Sequence, residues 1–474
     1  MALAGGKEVL LVGRLVVGIA VGLSSMAVPM YVSESAPVAI RGRLVTLTAS
    51  AITLGTLVAS LVCGALSGVG EGWRWMLGLG VVPAVLQLVG FTFMPETPRF
   101  LVSRGRDEQA RQVLRRLRGD GAHVQHEYET IKADFDAQEA LLRERAAAGG
   151  GGSVLTQLVR EPSTRRALFA GCCLQMFQQV SGVNTVVYYS ASIITLAGVR
   201  EASMAIWLSS IPNLLSFLAK FVSLALVERA GRRPILLWSA LGPALALLLL
   251  GAGFQLSASA SPAVSVAGPA GCAASTCDAC ERAGVCGFCF QDLAAGPVNG
   301  SCLPIVSSYN SSAAAGRCAD AAALGVDGLT WAPDWCPTDY AWLPITGMFF
   351  YISVYSPGLG AMPWTITSEI FPLWARSTCI SITTAVKWFF NLLVSLTFLT
   401  LTHAITRQGT FYLFCGCTAV GLVVFFMAVP ETRGVRLEEM PALFSQPWGL
   451  HAPRRAPSDR PSPQPYDNKA CDSS

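Results

Sequence analysis

Charge is scarce in this chain. Only 14% of its 474 residues are Asp, Glu, Lys or Arg, against about a quarter in soluble globular domains, and that excludes an ordinary water-soluble domain. Histidine is rarer still. His123, His126, His403 and His451 are scattered, and no nucleophile–base motif accompanies them. No enzyme, resident metal or cofactor is expected. The net charge of +4 is unremarkable, and no nucleic-acid partner is expected. No cleavable leader is evident, because MALAGGKEVLLVGR runs directly into a full-length apolar run.

Apolar residues are abundant, at 52% of the chain. Runs of ~20 residues, enough for a ~30 Å hydrocarbon core, lie near 10–33, 44–68, 74–95, 167–195, 203–227, 234–256, 341–366, 377–402 and 409–429. These predict an all-α, polytopic membrane protein with the lipid bilayer as its surroundings. Basic residues set the expected orientation. With the 96–166 connection in the cytoplasm, twenty-five of the thirty-four Lys and Arg fall on that side and five on the other. The predicted organisation is three spans in 1–95, a cytoplasmic helical linker at 96–166 and three spans in 167–256. An extracellular loop at 257–340 follows, then three spans in 341–430. A cytoplasmic tail occupies 431–474, broken up after about 445 by Pro, Ser and Asp. Gly149 to Gly152 reads as a flexible break in the linker.

One pattern occurs twice. Ser33-Glu34-x-x-Pro37-x-x-x-Arg41 returns as Ser368-Glu369-x-x-Pro372-x-x-x-Arg376, and each Glu is followed 62 residues later by the Glu of Pro95-Glu96-Thr97 or Pro430-Glu431-Thr432. Duplicated halves are a mark of transporters. In the second half three spans precede the span that ends in the pattern, and in the first half none does, so the expectation is nine of an ancestral twelve spans, the first three being absent. Two charged sets recur with the repeat: Glu34, Arg41, Arg43 and Glu96 in one half, and Glu228, Arg232, Arg233, Glu369, Arg376 and Glu431 in the other. Basic residues alone would serve as topological anchors. Matched acids are not needed for topology, so an interhelical ion-pair latch is expected at the cytoplasmic ends.

The segments PETPRFLVSRGR at 95–106, QQVSGVNTVVYYS at 178–190, VERAGRRP at 227–234, GLGAMPW at 358–364 and PETRG at 430–434 resemble the sugar-porter branch of the major facilitator superfamily over about residues 8–445. Within that branch the chain is most similar to the inositol carriers. The resemblance implies the major facilitator fold, alternating access, and a small polyol, myo-inositol above all, carried with protons. It also implies a plasma-membrane location, with an intracellular vesicle pool as the other compartment. Two further readings stand beside it. One is a facilitative hexose uniporter. The other is a truncated, non-transporting isoform or incomplete gene model, acting at most as an interaction or surface-binding membrane protein.

Gln178, Gln179, Ser181, Asn184, Tyr188 and Tyr189 are polar groups within one apolar span. Amides both donate and accept, which suits a hydroxylated ring, and such groups avoid lipid. Interhelical bonding is the alternative. The resemblance assigns sugar contacts to Gln178, Gln179 and Asn184, and substrate packing to Trp364, Trp388 and Asn391. Ser216 stands where the family has Asn. Pro357, Gly358, Gly360 and Pro363 should break a helix before Trp364 and, with Tyr188 and Tyr189, form a gate. Lys220 and Lys387 lie mid-span, one turn from Ser216 and Asn391, where relatives are uncharged. They read as a turn toward acidic ligands or an obstacle to transport, and otherwise as lysines that snorkel or bond a carbonyl. Arg14 matches an arginine of proton-coupled relatives whose acidic partner lies on an earlier helix. The outer loop holds Cys272, Cys277, Cys280, Cys286, Cys289, Cys302, Cys318 and Cys336, expected as disulfides with the pairing open and a zinc site as the alternative. Asn299 and Asn310 open glycosylation sequons there.

Overall fold

The computed structural model describes the chain except residues 38–39, 148–153, 200–201, 267, 270, 283, 294–295, 306–311, 320–327, 334, 433–439 and 445–474. Asn310, the expected break at Gly149 to Gly152 and the tail after 445 lie outside the described residues, as do the side chains of Arg41, Arg43 and Glu228.

The first three spans are α1 (Lys7–Ser35), α2 (Arg41–Leu66) and the joined pair α3 (Gly72–Leu79) and α4 (Val81–Phe93). Neither α1 nor α4 buries a residue. Their apolar side chains face outward, as suits helices whose solvent is hydrocarbon. A layer of short helices follows: α5 (Pro98–Ser103), α6 (Asp107–Arg118), α7 (Ala122–Ala147) and α8 (Val154–Arg160). Pro98 sits in the first turn of α5, and the Thr97 hydroxyl caps that helix by accepting from the Phe100 N–H at 3.2 Å. In α6 acids lead and arginines end the helix, matching its dipole. Leu101, Leu114 and Tyr128 give this layer its own small core. Arg118–Glu127 at 2.9 Å and Lys132–Asp107 at 2.7 Å tie α6 to α7.

The second half contains α9 (Pro162–Val180), α10 (Val183–Tyr188), α11 (Ser190–Leu196), α12 (Ala202–Leu208), α13 (Ser210–Ala230) and α14 (Arg232–Ser259). After the loop come α15 (Cys277–Arg282), α16 (Trp342–Tyr355), α17 (Met362–Glu369), α18 (Arg376–Ala404), α19 (Arg407–Ala428) and α20 (Met440–Leu443). The main core lies here and, among the described residues, takes none from 1–95. Tyr351, Phe371, Phe398, Phe411 and Phe425 are its largest buried side chains. Phe254 stacks on Phe411 with centroids 5.5 Å apart.

Seven helices among the described residues are long and apolar enough to cross a membrane. The two remaining expected spans are present but broken. Residues 167–195 interrupt at Ser181–Gly182 and again at Tyr189, with Gly182 at φ +83°, a backbone only glycine adopts cheaply. Residues 341–366 interrupt between Tyr355 and Met362. Hydropathy is blind to these breaks, because the residues that make them are themselves apolar or small.

The 257–340 loop departs from the all-α expectation. It folds around a three-stranded antiparallel sheet of order β2-β1-β3, with β1 (Cys286–Leu293), β2 (Gly296–Pro304) and β3 (Leu329–Ala332). Its eight cysteines pair as Cys272–Cys286, Cys277–Cys336, Cys280–Cys302 and Cys289–Cys318. Every thiol a zinc ion would use is thereby spent. Asn299 is exposed on β2. Buried Glu281 pairs with Arg407 at 2.7 Å, fastening the module to the start of α19. The Cys277–Cys336 bridge spans 59 residues, and loop-closure entropy gives such a crosslink about 4 kcal/mol. Cys336→Ser should therefore lower the melting temperature and expose the module to protease, read by calorimetry and limited digestion. Unchanged melting would show that the sheet stands without the bridge.

Candidate functional site

The site forms where the two broken spans meet. Gln178 and Gln179 end α9 at the first break. The Gln178 amide donates to the Leu359 carbonyl at 2.8 Å and accepts from Gln179 Nε2 at 3.1 Å. Gln179 Oε1 accepts from Asn184 Nδ2, and from Asn391 Nδ2 at 3.5 Å. Four amides from α9, α10 and α18 thus form one chain, with Gln178, Gln179 and Asn391 buried. The breaks free backbone carbonyls, and tyrosines satisfy them. Tyr351 donates to the Ser181 carbonyl at 3.0 Å and Tyr355 to that of Gln178 at 3.3 Å.

The second break runs from Ser356 to Ala361. Gly358 lies so close to α14 that a Cβ would stand 2.0 Å from the Ser239 hydroxyl oxygen, so the turn needs glycine there. Ser356 donates from its hydroxyl to Ser216 Oγ at 2.9 Å, and its carbonyl accepts from Lys220 Nζ at 3.0 Å. Ser216 therefore helps to hold the broken turn. Lys220 is buried, 4% exposed. Beyond the turn, Trp364 carries Lys387 Nζ 3.9 Å from its ring centroid, and Trp388 lies 5.6 Å from the same ammonium. The Trp388 indole N–H donates to Ser25 Oγ at 3.1 Å, joining the two halves beside the site. A mid-membrane lysine costs about 3 kcal/mol; a cation–π contact returns about 0.5–2 kcal/mol of that.

Gln178, Gln179, Asn184 and Asn391 thus come together. Pro357, Gly358, Gly360 and Pro363 all fall in or beside the second break. Tyr189 bonds the Ser395 carbonyl at 3.0 Å and leans on Phe398. Tyr188 is 58% exposed and stands apart from the cluster.

The charged repeat closes in the same way twice. Thr97 Oγ1 donates to Glu34 Oε2 at 2.6 Å, and Thr432 Oγ1 donates to Glu369 Oε2 at 2.9 Å, each 63 residues apart in sequence. These threonines are the third letter of each Pro-Glu-Thr. The repeat displayed them, but attention to charge passed over an uncharged hydroxyl. In the second half Arg232 pairs with Glu369 at 3.1 Å, and Glu431 accepts from the backbone N–H groups of Arg232 and Arg233, both at 3.0 Å. Arg233 bonds the Phe426 carbonyl and Arg376 that of Phe371. Glu431 thus caps the start of α14 from the far end of the chain. Glu96 is exposed without an ion pair among the described residues. Arg14 is exposed on α1 with no acidic partner among them.

A bundle of apolar helices with two spans broken opposite each other around buried amides defines a membrane transport protein. The family described as "Sugar (and other) transporter" matches residues 1–314 and 322–444, and the chain belongs to it. The human "Proton myo-inositol cotransporter" is 42% identical over 94% of this chain and 69% of its own length. The Caenorhabditis elegans "Proton myo-inositol cotransporter hmit-1.1" is 38% identical over 92% of this chain and 74% of its own. Arabidopsis thaliana "Inositol transporter 4" is 35% identical over 94% and 77%. Among solved structures, the proton:xylose symporter XylE bound to 6-bromo-6-deoxy-D-glucose superposes with a TM-score of 0.61 at 24% identity, covering 90% of this chain and 72% of that one. That likeness concerns the fold. The chain is an integral membrane sugar porter, not an enzyme.

Proposed function

We propose that this chain carries myo-inositol together with protons by alternating access at the plasma membrane, the amide chain of Gln178, Gln179, Asn184 and Asn391 reading ring hydroxyls. The observation that carries the reading is that chain. Asn184 and Asn391 each keep a carbonyl oxygen and a second N–H without a described partner, four groups suited to vicinal hydroxyls. The relatives' names point to inositol and to protons. The broken turn at 356–361 serves as the moving gate, and the Glu369–Arg232–Glu431–Thr432 knot holds the linker side shut while the loop side is open. The linker side is cytoplasmic, and the disulfide module with exposed Asn299 lies outside.

Proteoliposomes holding the full chain should show saturable myo-inositol uptake that rises with an inward proton gradient. Intact cells should show surface biotinylation and a glycosidase-sensitive mobility shift lost in Asn299→Gln. Absence of saturable uptake would overturn the carrier reading. Saturable uptake indifferent to the gradient would favour a second reading, facilitated diffusion. That reading is favoured by the absence of any Asp or Glu from the middle of the spans.

A further inference from the structure

We propose that Lys220 and Lys387 form an anion subsite adjoining the amide cluster, so that the preferred ligand is a polyol bearing an acidic group, a carboxylate or a phosphate. The proposal rests on the polyol reading and names a substrate class for the same site.

Two ammonium groups come in from different helices, one to the broken turn and one to the start of α17 just beyond it. Lys220 of α13 reaches the Ser356 carbonyl and lies against Gly360, where a Cβ would come 2.8 Å from Nζ. Lys387 of α18 lies over Trp364, two residues into α17 and one helical turn past Gly360. Neither has an acidic partner among the described residues. Lys220 does not snorkel: it is 4% exposed and its Nζ is held by a carbonyl within the bundle. A carbonyl uses one of its three N–H donors, and neither a carbonyl nor an indole face neutralises a charge. Two like charges in a low-dielectric interior repel strongly, so an anion placed against them gains attraction to both.

Two further features place this cation pair in a ligand site. Ser216, Lys220 and Ser223 are spaced i, i+4, i+7 and share one face of α13. The Ser223 hydroxyl is fully buried without a partner among the described residues, and is a spare donor one turn from Lys220. On α18, Lys387 is one turn from Asn391, which joins the amide chain. A ring whose hydroxyls meet the amides would therefore present a substituent to the lysines. A sugar acid or an inositol phosphate has that shape: neutral hydroxyls on one edge, charge at another.

The test uses the purified full chain in nanodiscs and isothermal calorimetry with two matched pairs, glucose against glucuronate and myo-inositol against its monophosphate. At least one acid should bind about tenfold or more tightly than its neutral partner, a difference of about 1.4 kcal/mol. Raised salt and Lys220→Met or Lys387→Met should each shrink that ratio toward one. Lys→Gln at either position provides a polar replacement if a methionine variant fails to fold, judged by its melting curve. An advantage confined to glucuronate identifies the carboxylate, and one confined to the monophosphate identifies the phosphate; either supports the subsite. Equal binding within both pairs, or an advantage that survives loss of both lysines, overturns it while leaving the polyol reading intact. Binding of no polyol at all overturns both.

Discussion

Gln179→Leu should reduce saturable polyol uptake by about a hundredfold or more. Gln179 is the central amide of the chain. Its oxygen accepts from Asn184 and Asn391 and its nitrogen donates to Gln178. Leucine preserves the volume but leaves three amides short of a partner, of which Gln178 and Asn391 are buried, and each buried orphan costs about 1–3 kcal/mol. The expected hundredfold corresponds to roughly 2.7 kcal/mol, the upper end of the range for a single orphan. The loss should exceed that from Ser216→Ala, since Ser216 bonds the turn through Ser356 and touches no amide of the chain. Initial rates in proteoliposomes, normalised to folded protein, measure it. Uptake retained within about threefold would mean that the amides serve as interhelical bonding and that the ligand sits elsewhere.

Glu431→Ala should lower the stability of the second half by about 2–4 kcal/mol, because its carboxylate is the acceptor for two first-turn N–H groups of α14. The geometry is that of an N-cap supplied from the far end of the chain: both N–H to oxygen distances are 3.0 Å, and the acid also meets the positive end of the helix dipole. Gly231, at φ +91°, turns the backbone of the α13–α14 junction toward it. Glu431→Gln keeps an acceptor and should recover part of the loss. By contrast, Glu96→Ala, the matched position of the first half, should change little, since Glu96 is exposed without a described ion pair. Differential scanning of the three variants decides the matter. Equal losses at Glu96 and Glu431 would mean that the repeat acts as one symmetrical latch.

This asymmetry marks the boundary of what the repeat makes legible. Glu34 and Glu369, the two acids of the first pattern, do take the same partner, a threonine 63 residues on. Glu96 and Glu431 are equally matched in sequence, yet among the described residues it is Glu431 that takes the first N–H groups of a helix. Spacing along the chain conveys ancestry, while a capping bond depends on where another helix happens to start.

The site was legible in kind and partly in place. The amides were recognisable because apolar spans rarely tolerate them. That Gln178 would spend its amide on Leu359, and Ser216 its hydroxyl on Ser356, was not, because those partners lie 181 and 140 residues away. Lys220 and Lys387 were visible as anomalies on separate spans. That one would bond the broken turn and the other lie over the start of α17 was not, since hydropathy and periodicity describe one helix at a time.

Composition and the spacing of apolar runs alone established that the chain lives in a bilayer and that its spans are helical. The reason is physical: hydrocarbon offers no hydrogen bonds, so a chain this poor in charge has few folds open to it. Only the tertiary structure decided where the helices break, which cysteines pair, and which side chains bond across the two breaks. Each of these depends on contacts between segments far apart in the chain, fixed by packing rather than by local preference.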